Sequence, residues 1–149
     1  MPAQRGFTMV ELIVTMVIIG ILAVVVLPRF DLIRGFDEIG YRDQVKATLE
    51  YARKSAVAGR RAVRVTIAGS GITVERQQQT PEGEGTAGWL PLNLPGGSSN
   101  KFSAPAGVTL SPAATLTFDP LGRPSAAGSF TISGIAQPII VEAETGYVH

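Results

Sequence analysis

The chain has 149 residues, with 13 basic and 12 acidic side chains, 17 glycines, 10 prolines and no cysteine. That length suits one modest domain plus a helix. The missing thiol excludes disulfide staples, thiol catalysis and zinc–thiolate sites. The near-neutral charge gives no global pull on nucleic acid or an anionic membrane surface.

The first predicted element is an apolar helix from Phe7 to about Phe30, behind a short leader, Met1–Gly6, that carries Arg5. No charged side chain occurs between Leu12 and Leu27. Phe7 to Leu27 is about the 20 residues a helix needs to span a bilayer core. Glu11 interrupts the run in its first turn. A carboxylate near the end of an apolar helix must be paired, snorkelled or neutralised, so it is a functional candidate. Three plainer readings compete. A secretory signal peptide would have a shorter apolar core and a small-x-small cleavage site. This run exits through Leu27, Pro28 and Arg29 instead. An ordinary single-pass anchor would not need Glu11. A buried core helix that is apolar all round needs lipid or other helices about it.

The stretch Gly6-Phe7-Thr8-Met9-Val10-Glu11-Leu12 resembles the processing and methylation motif of type IV pilins and type II secretion pseudopilins. The resemblance implies that a prepilin peptidase cuts between Gly6 and Phe7 and N-methylates Phe7. It also implies that Glu11 pairs with the terminal amine of a neighbouring subunit during assembly. Cleavage would remove Arg5 and leave twelve basic against twelve acidic side chains. The charge of Glu11 suits a helix N-terminus, and a polar contact between packed helices can set their register. The alternative is that Glu11 only caps its own helix.

Three more residues of the run fit a helix that leaves lipid to pack among its own kind. The Thr15 hydroxyl can bond back to the Glu11 carbonyl. Gly20 lets a neighbouring backbone approach. Pro28 deprives the Val24 carbonyl of its helical partner, so a kink is expected there; alternatively Pro28 marks the membrane exit.

A second helical half follows from about Asp31 to Ala58, stopped by Gly59. Leu32, Phe36, Ile39, Tyr41, Val45, Leu49, Ala52 and Ala56 recur at helical spacing, with charged residues on other faces. The period then changes to two. Ala62–Ile67 and Ile72–Arg76 read as a hairpin around Gly69-Ser70-Gly71. Residues 77–88 read as a loop. Trp89–Leu94 reads as a strand, with Pro91 marking an edge or bulge, and Pro95–Asn100 as a further loop. Strands are predicted at Gly107–Leu110, Thr115–Asp119, Gly128–Ile132 and Pro138–Val141, with a Thr145-Gly146 turn into Tyr147-Val148. One long helix followed by antiparallel strands is an α+β order.

The run Phe118-Asp119-Pro120-Leu121-Gly122-Arg123-Pro124, then Ile139-Ile140-Val141, then Thr145-Gly146-Tyr147-Val148, resembles the GspH/FimT-type minor pilin domain. The Leu27-Pro28-Arg29-Phe30 exit is similar to MSHA-type pilins. These resemblances imply a type IV pilin-like fold: a long N-terminal helix, half transmembrane, packed on antiparallel sheets. The expected organisation is a cleaved leader over 1–6, a transmembrane and assembly helix over 7–30, and a soluble globular domain over 31–149.

His149 is the only histidine and ends the chain, so a Ser/His/Asp triad or histidine-rich metal site has little support. No phosphate-loop motif occurs, and no cofactor is expected. Glu82 and Glu84 flank Gly83, an arrangement that resembles the calcium loops of some pseudopilins, although the spacing does not match an EF-hand. A solvated acidic loop is the plainer reading of them. The cations Arg53, Lys54, Arg60, Arg61 and Arg64 gather near the helix end, where they suit its dipole. The expectation is a non-catalytic minor pilin or pseudopilin of the bacterial inner membrane. It would pass the membrane once, with its C-terminal domain in the periplasm. Its partners would be other pilin or pseudopilin subunits and a prepilin peptidase. The charge balance argues against nucleic acid; the alternative is a DNA-binding minor pilin for DNA uptake.

Overall fold

The computed structural model describes residues 7–78 and 88–149, with the side chains of residues 25–34 outside that description. The chain forms two compact units, Met1–Phe36 and Asp37–His149.

Helix α1 runs from Met9 to Gly59. Thr8 starts it. Its carbonyl accepts from the Leu12 N–H at 3.2 Å, and its Oγ1 accepts from the Glu11 N–H at 3.3 Å. Thr8-x-x-Glu11 is thus a capping-box sequence, with the acid in the turn where the dipole favours it. The Thr15 hydroxyl donates to the Leu12 carbonyl at 2.9 Å and not to that of Glu11, one residue short of the expected partner. The backbone stays helical through Pro28. The expected kink there falls among side chains outside the described residues.

In the second unit, Tyr41, Val45, Leu49, Ala52 and Ala56 form the buried face of α1. Phe36 and Ile39, expected on that face, are instead 76% and 56% exposed. At about 100° per residue, their offsets of five and two from Tyr41 turn them well away from it. The side chain of Leu32 lies outside the described residues.

The helix does not stop by placing Gly59 in the left-handed region. Arg60 takes that conformation, with φ of 48°. The Arg61 N–H donates to the Ala56 carbonyl at 3.2 Å and the Arg60 N–H to that of Val57 at 3.3 Å. This is the Schellman pattern of helix ends, with an arginine where glycine is usual.

Eight strands follow among the described residues: β1 (Val63–Ala68), β2 (Gly71–Gln77), β3 (Trp89–Pro91), β4 (Lys101–Ser103), β5 (Leu110–Ser111), β6 (Ala114–Phe118), β7 (Gly128–Ile132) and β8 (Ile139–Val141). One sheet has the order β3-β2-β1-β6, and β4 shares with β3 the same edge of β2. The hairpin register sets Val65 opposite Val74 and Val63 opposite Arg76. Alternation sends Val63, Val65, Ile67, Ile72 and Val74 into the core and leaves Arg64, Thr66, Thr73 and Glu75 on the other face.

The second sheet has the order β5-β7-β8. Ile140 and His149 exchange N–H···O bonds of 2.8 and 3.0 Å, so the last residues add a further partner beside β8. Leu110, Phe130, Ile132, Ile139 and Val141 of this sheet join the same apolar cluster as the first sheet and the helix.

Several boundaries differ from the sequence reading. Pro91 does end its strand, which is a short edge piece and does not extend to Leu94. The strand expected at 107–110 is confined to Leu110–Ser111, because Gly107 lies in a turn with φ of 81°. Strand β4 was not foreseen: three residues show no usable alternation. Asn100 fixes that edge, its carbonyl accepting from Val74 N–H at 2.8 Å and its side-chain amide donating back to the Val74 carbonyl at 3.0 Å. Gln77 belongs to β2 and not to the following loop.

Candidate assembly surface

The predicted processing and assembly residues lie at the start of α1. Gly6 is outside the described residues. Phe7 is 77% exposed just ahead of the helix. Glu11 stands exposed in the first turn, four residues on. From Phe7 to Val24 every side chain is exposed, Met9 at 86% and Ile19 at 65% among them. Consecutive residues sample all directions around a helix. This stretch therefore has no face covered by its own chain.

Burying one such side chain stabilises by about 1.5–3 kcal/mol, so a helix of this kind needs lipid or other helices as cover. Among the described residues no helix is long and apolar enough to cross a membrane. The side chains of 25–30, the last part of the expected span, lie outside them.

The turn motif and the Thr-Gly motif meet in the second unit. Asp119 Oδ1 accepts from the backbone N–H groups of Leu121 at 2.9 Å and Arg123 at 2.8 Å, and Oδ2 from Arg123 Nε at 3.0 Å. The Arg123 backbone N–H is the largest influence holding this carboxyl below its ordinary range. Partial desolvation opposes it, and the Arg123 side chain and the Leu121 N–H reinforce it. The loop so tied holds Gly122 against Gly146, Val57 and Arg53.

Among the described residues no group of three His, Asp or Glu side chains could hold a metal. Glu82 and Glu84 fall outside the described residues. Several basic side chains are already engaged. Arg64 pairs with Glu75 at 2.7 Å and lies 4.3 Å from the Trp89 ring centre. Arg123 meets Asp119 at 3.0 Å, Lys54 meets Glu50 at 3.6 Å, and Arg42 meets Asp43 at 3.8 Å. Cations partnered this way do not converge as a phosphate-binding track requires.

A long N-terminal helix on antiparallel sheets, with an exposed apolar start that carries one acid, defines a type IV pilin-like subunit. Residues 1–27 match the model of the prokaryotic N-terminal methylation motif, and residues 42–145 match that of type II transport protein GspH. The chain belongs to the GspH family, among minor pilins and pseudopilins. Its fold is similar to that of the type IV minor pilin FimU of Pseudomonas aeruginosa strain PAO1. That crystal structure matches with a TM-score of 0.54 at 20% identity, over 78% of this chain and 89% of that one. No curated protein matches the chain.

Proposed function

We propose that the chain is a non-catalytic subunit that is held in the bacterial inner membrane by residues 7–30 and then drawn into a pilus or pseudopilus. A prepilin peptidase cleaves between Gly6 and Phe7 and methylates the Phe7 amine. Glu11 pairs with that amine on an adjoining subunit, and Pro28 lets the helix bend as it passes from lipid into the filament. The soluble domain, 31–149, stands on the periplasmic side.

One observation carries this reading: an uncovered helix surface from Phe7 to Val24, apolar all round except for Glu11 and a few small polar groups. A permanent lipid anchor has no use for that carboxylate. A helix that moves from lipid into a bundle does, because two opposite charges brought together out of water fix their partners' register. The test is N-terminal mass spectrometry of the protein from its host, with membrane fractionation and recovery in sheared filaments. An N-methylated Phe7 terminus is expected. An intact Met1, or a cut beyond Leu27, overturns the reading.

A further inference from the structure

Two features meet at the C-terminal end of α1. The first is Arg76. It lies on the same face of β2 as the buried Ile72 and Val74, and opposite the buried Val63, but near the strand's end its own side chain is exposed. Among the described strand residues of that sheet's core face, it is the charged one. The second is Arg60, whose left-handed backbone strains a side chain where glycine would not. That conformation turns the chain so that Arg61 follows into the same place. Strained backbone of the Arg60 kind concentrates at functional positions.

Both lead to one cleft of about 380 Å³, with Ser55, Gly59, Arg61, Val63, Arg76 and Leu92 in its wall. Arg61, Arg76 and Ser55 border it together with apolar side chains, and among the described residues no acid lines it. Arg61 engages a neighbour of its own, so the inference stands on Arg76 and the cleft.

We infer that this cleft accepts an acidic side chain from the globular domain of an adjoining pilin subunit. It rests on the filament reading above. A guanidinium offers paired donors to a carboxylate, and Leu92 suits the aliphatic stem of a glutamate. The cations form a pocket and not a stripe, and the overall charge balance gives no long-range attraction for a polyanion. That favours a protein acid over nucleic acid.

The full-length chain in detergent is titrated with a blocked glutamate-rich pentapeptide while arginine side-chain N–H signals are followed by NMR. Parallel arms use the glutamine counterpart of the peptide and sodium phosphate, all at equal ionic strength. A saturable shift is expected with the acidic peptide alone, weakened at least tenfold by Arg76→Gln and kept in Lys101→Gln. No saturable response, or one unchanged in Arg76→Gln, overturns the site. A response to phosphate alone overturns the carboxylate assignment.

In the host, Arg76→Glu should insert in the membrane normally and be recovered less in filaments. Normal recovery overturns the subunit contact while the filament reading stands. If the wild-type chain itself never enters filaments, that reading fails and the subunit contact fails with it; the peptide titration still reports on the cleft alone.

Discussion

Gly146 lies directly on the backbone carbonyl of Gly122: a methyl group at Gly146 would fall inside the contact distance of that oxygen. Both residues hold positive φ, 63° and 84°. On its other side Gly122 faces Val57 Cγ2, which an added Cβ would approach to 3.0 Å. Two turns far apart in sequence thus close over the last turns of α1. Gly146→Ala is expected to destabilise by roughly 2–4 kcal/mol, from the left-handed backbone and the overlap together. Thermal unfolding of the full chain in detergent measures it. A loss under about 0.5 kcal/mol, the usual range for surface changes, would mean the two turns are not packed this way.

Arg60 offers the opposite sign. Replacing it with glycine removes the left-handed penalty, so Arg60→Gly should stabilise by about 1 kcal/mol. Arg60→Ala should not, since it keeps a Cβ. An unfolding midpoint that rises equally in both variants would show that charge, and not backbone strain, governs this helix end.

The Asp119 loop should respond to acid. Its carboxyl is held below the usual range, chiefly by the Arg123 backbone N–H. The folded state therefore binds the proton less tightly than the unfolded chain, whose aspartates titrate near ~4. The stability it contributes is present above that value and is lost as pH falls through the lower folded value. Asp119→Asn should be less stable than wild type at neutral pH, with the gap closing on acidification. A gap independent of pH between 2 and 7 would contradict the assignment.

Tyr41 gives the alkaline counterpart. It is 2% exposed, its ring meets Phe102 edge-on at 5.6 Å, and its hydroxyl finds no protein hydrogen-bond partner. Burial raises its pKa. The contribution is present below the unfolded value near ~10 and is lost as pH rises through the higher folded value. Tyr41→Phe should be neutral or stabilising by about 1 kcal/mol at pH 7, since no hydrogen bond is given up. It should also flatten the stability curve above pH 10. A clear destabilisation at pH 7 would reveal an unseen hydroxyl partner.

Glu11→Ala should insert in the membrane as well as wild type or better, because it removes the charge from the run. Filament recovery should nevertheless fall. Stranding the Phe7 amine of an adjoining subunit in an apolar bundle costs roughly 3–5 kcal/mol. Glu11→Gln should be milder, since an amide oxygen still accepts from the amine. Full recovery of the alanine variant would leave Glu11 as a cap for its own helix. A subunit at the filament tip has no subunit ahead of it, so there the defect would be partial.

Much of the class was legible in one dimension. An uninterrupted apolar run, a lone acid and a processing-type leader are properties of contiguous residues. Strand alternation likewise placed the β1–β2 hairpin and β7, because a period of two already says which face is buried. Other features depend on partners distant in the chain. Strand β4 exists because Asn100 meets Val74 at the edge of β2. Phe36 and Ile39 look like core residues when read by spacings of three and four from their neighbours, but their offsets of five and two from Tyr41 turn them off the face that the fold buries, and they are exposed. Gly122 and Gly146 each read as an ordinary turn glycine. That they must both lack a side chain for the same reason is a matter of contact, and contact between residues 24 apart is decided by the fold. Arg76 alternates like any strand residue; its place on the core face, past the end of the helix, follows from where α1 stops above the sheet.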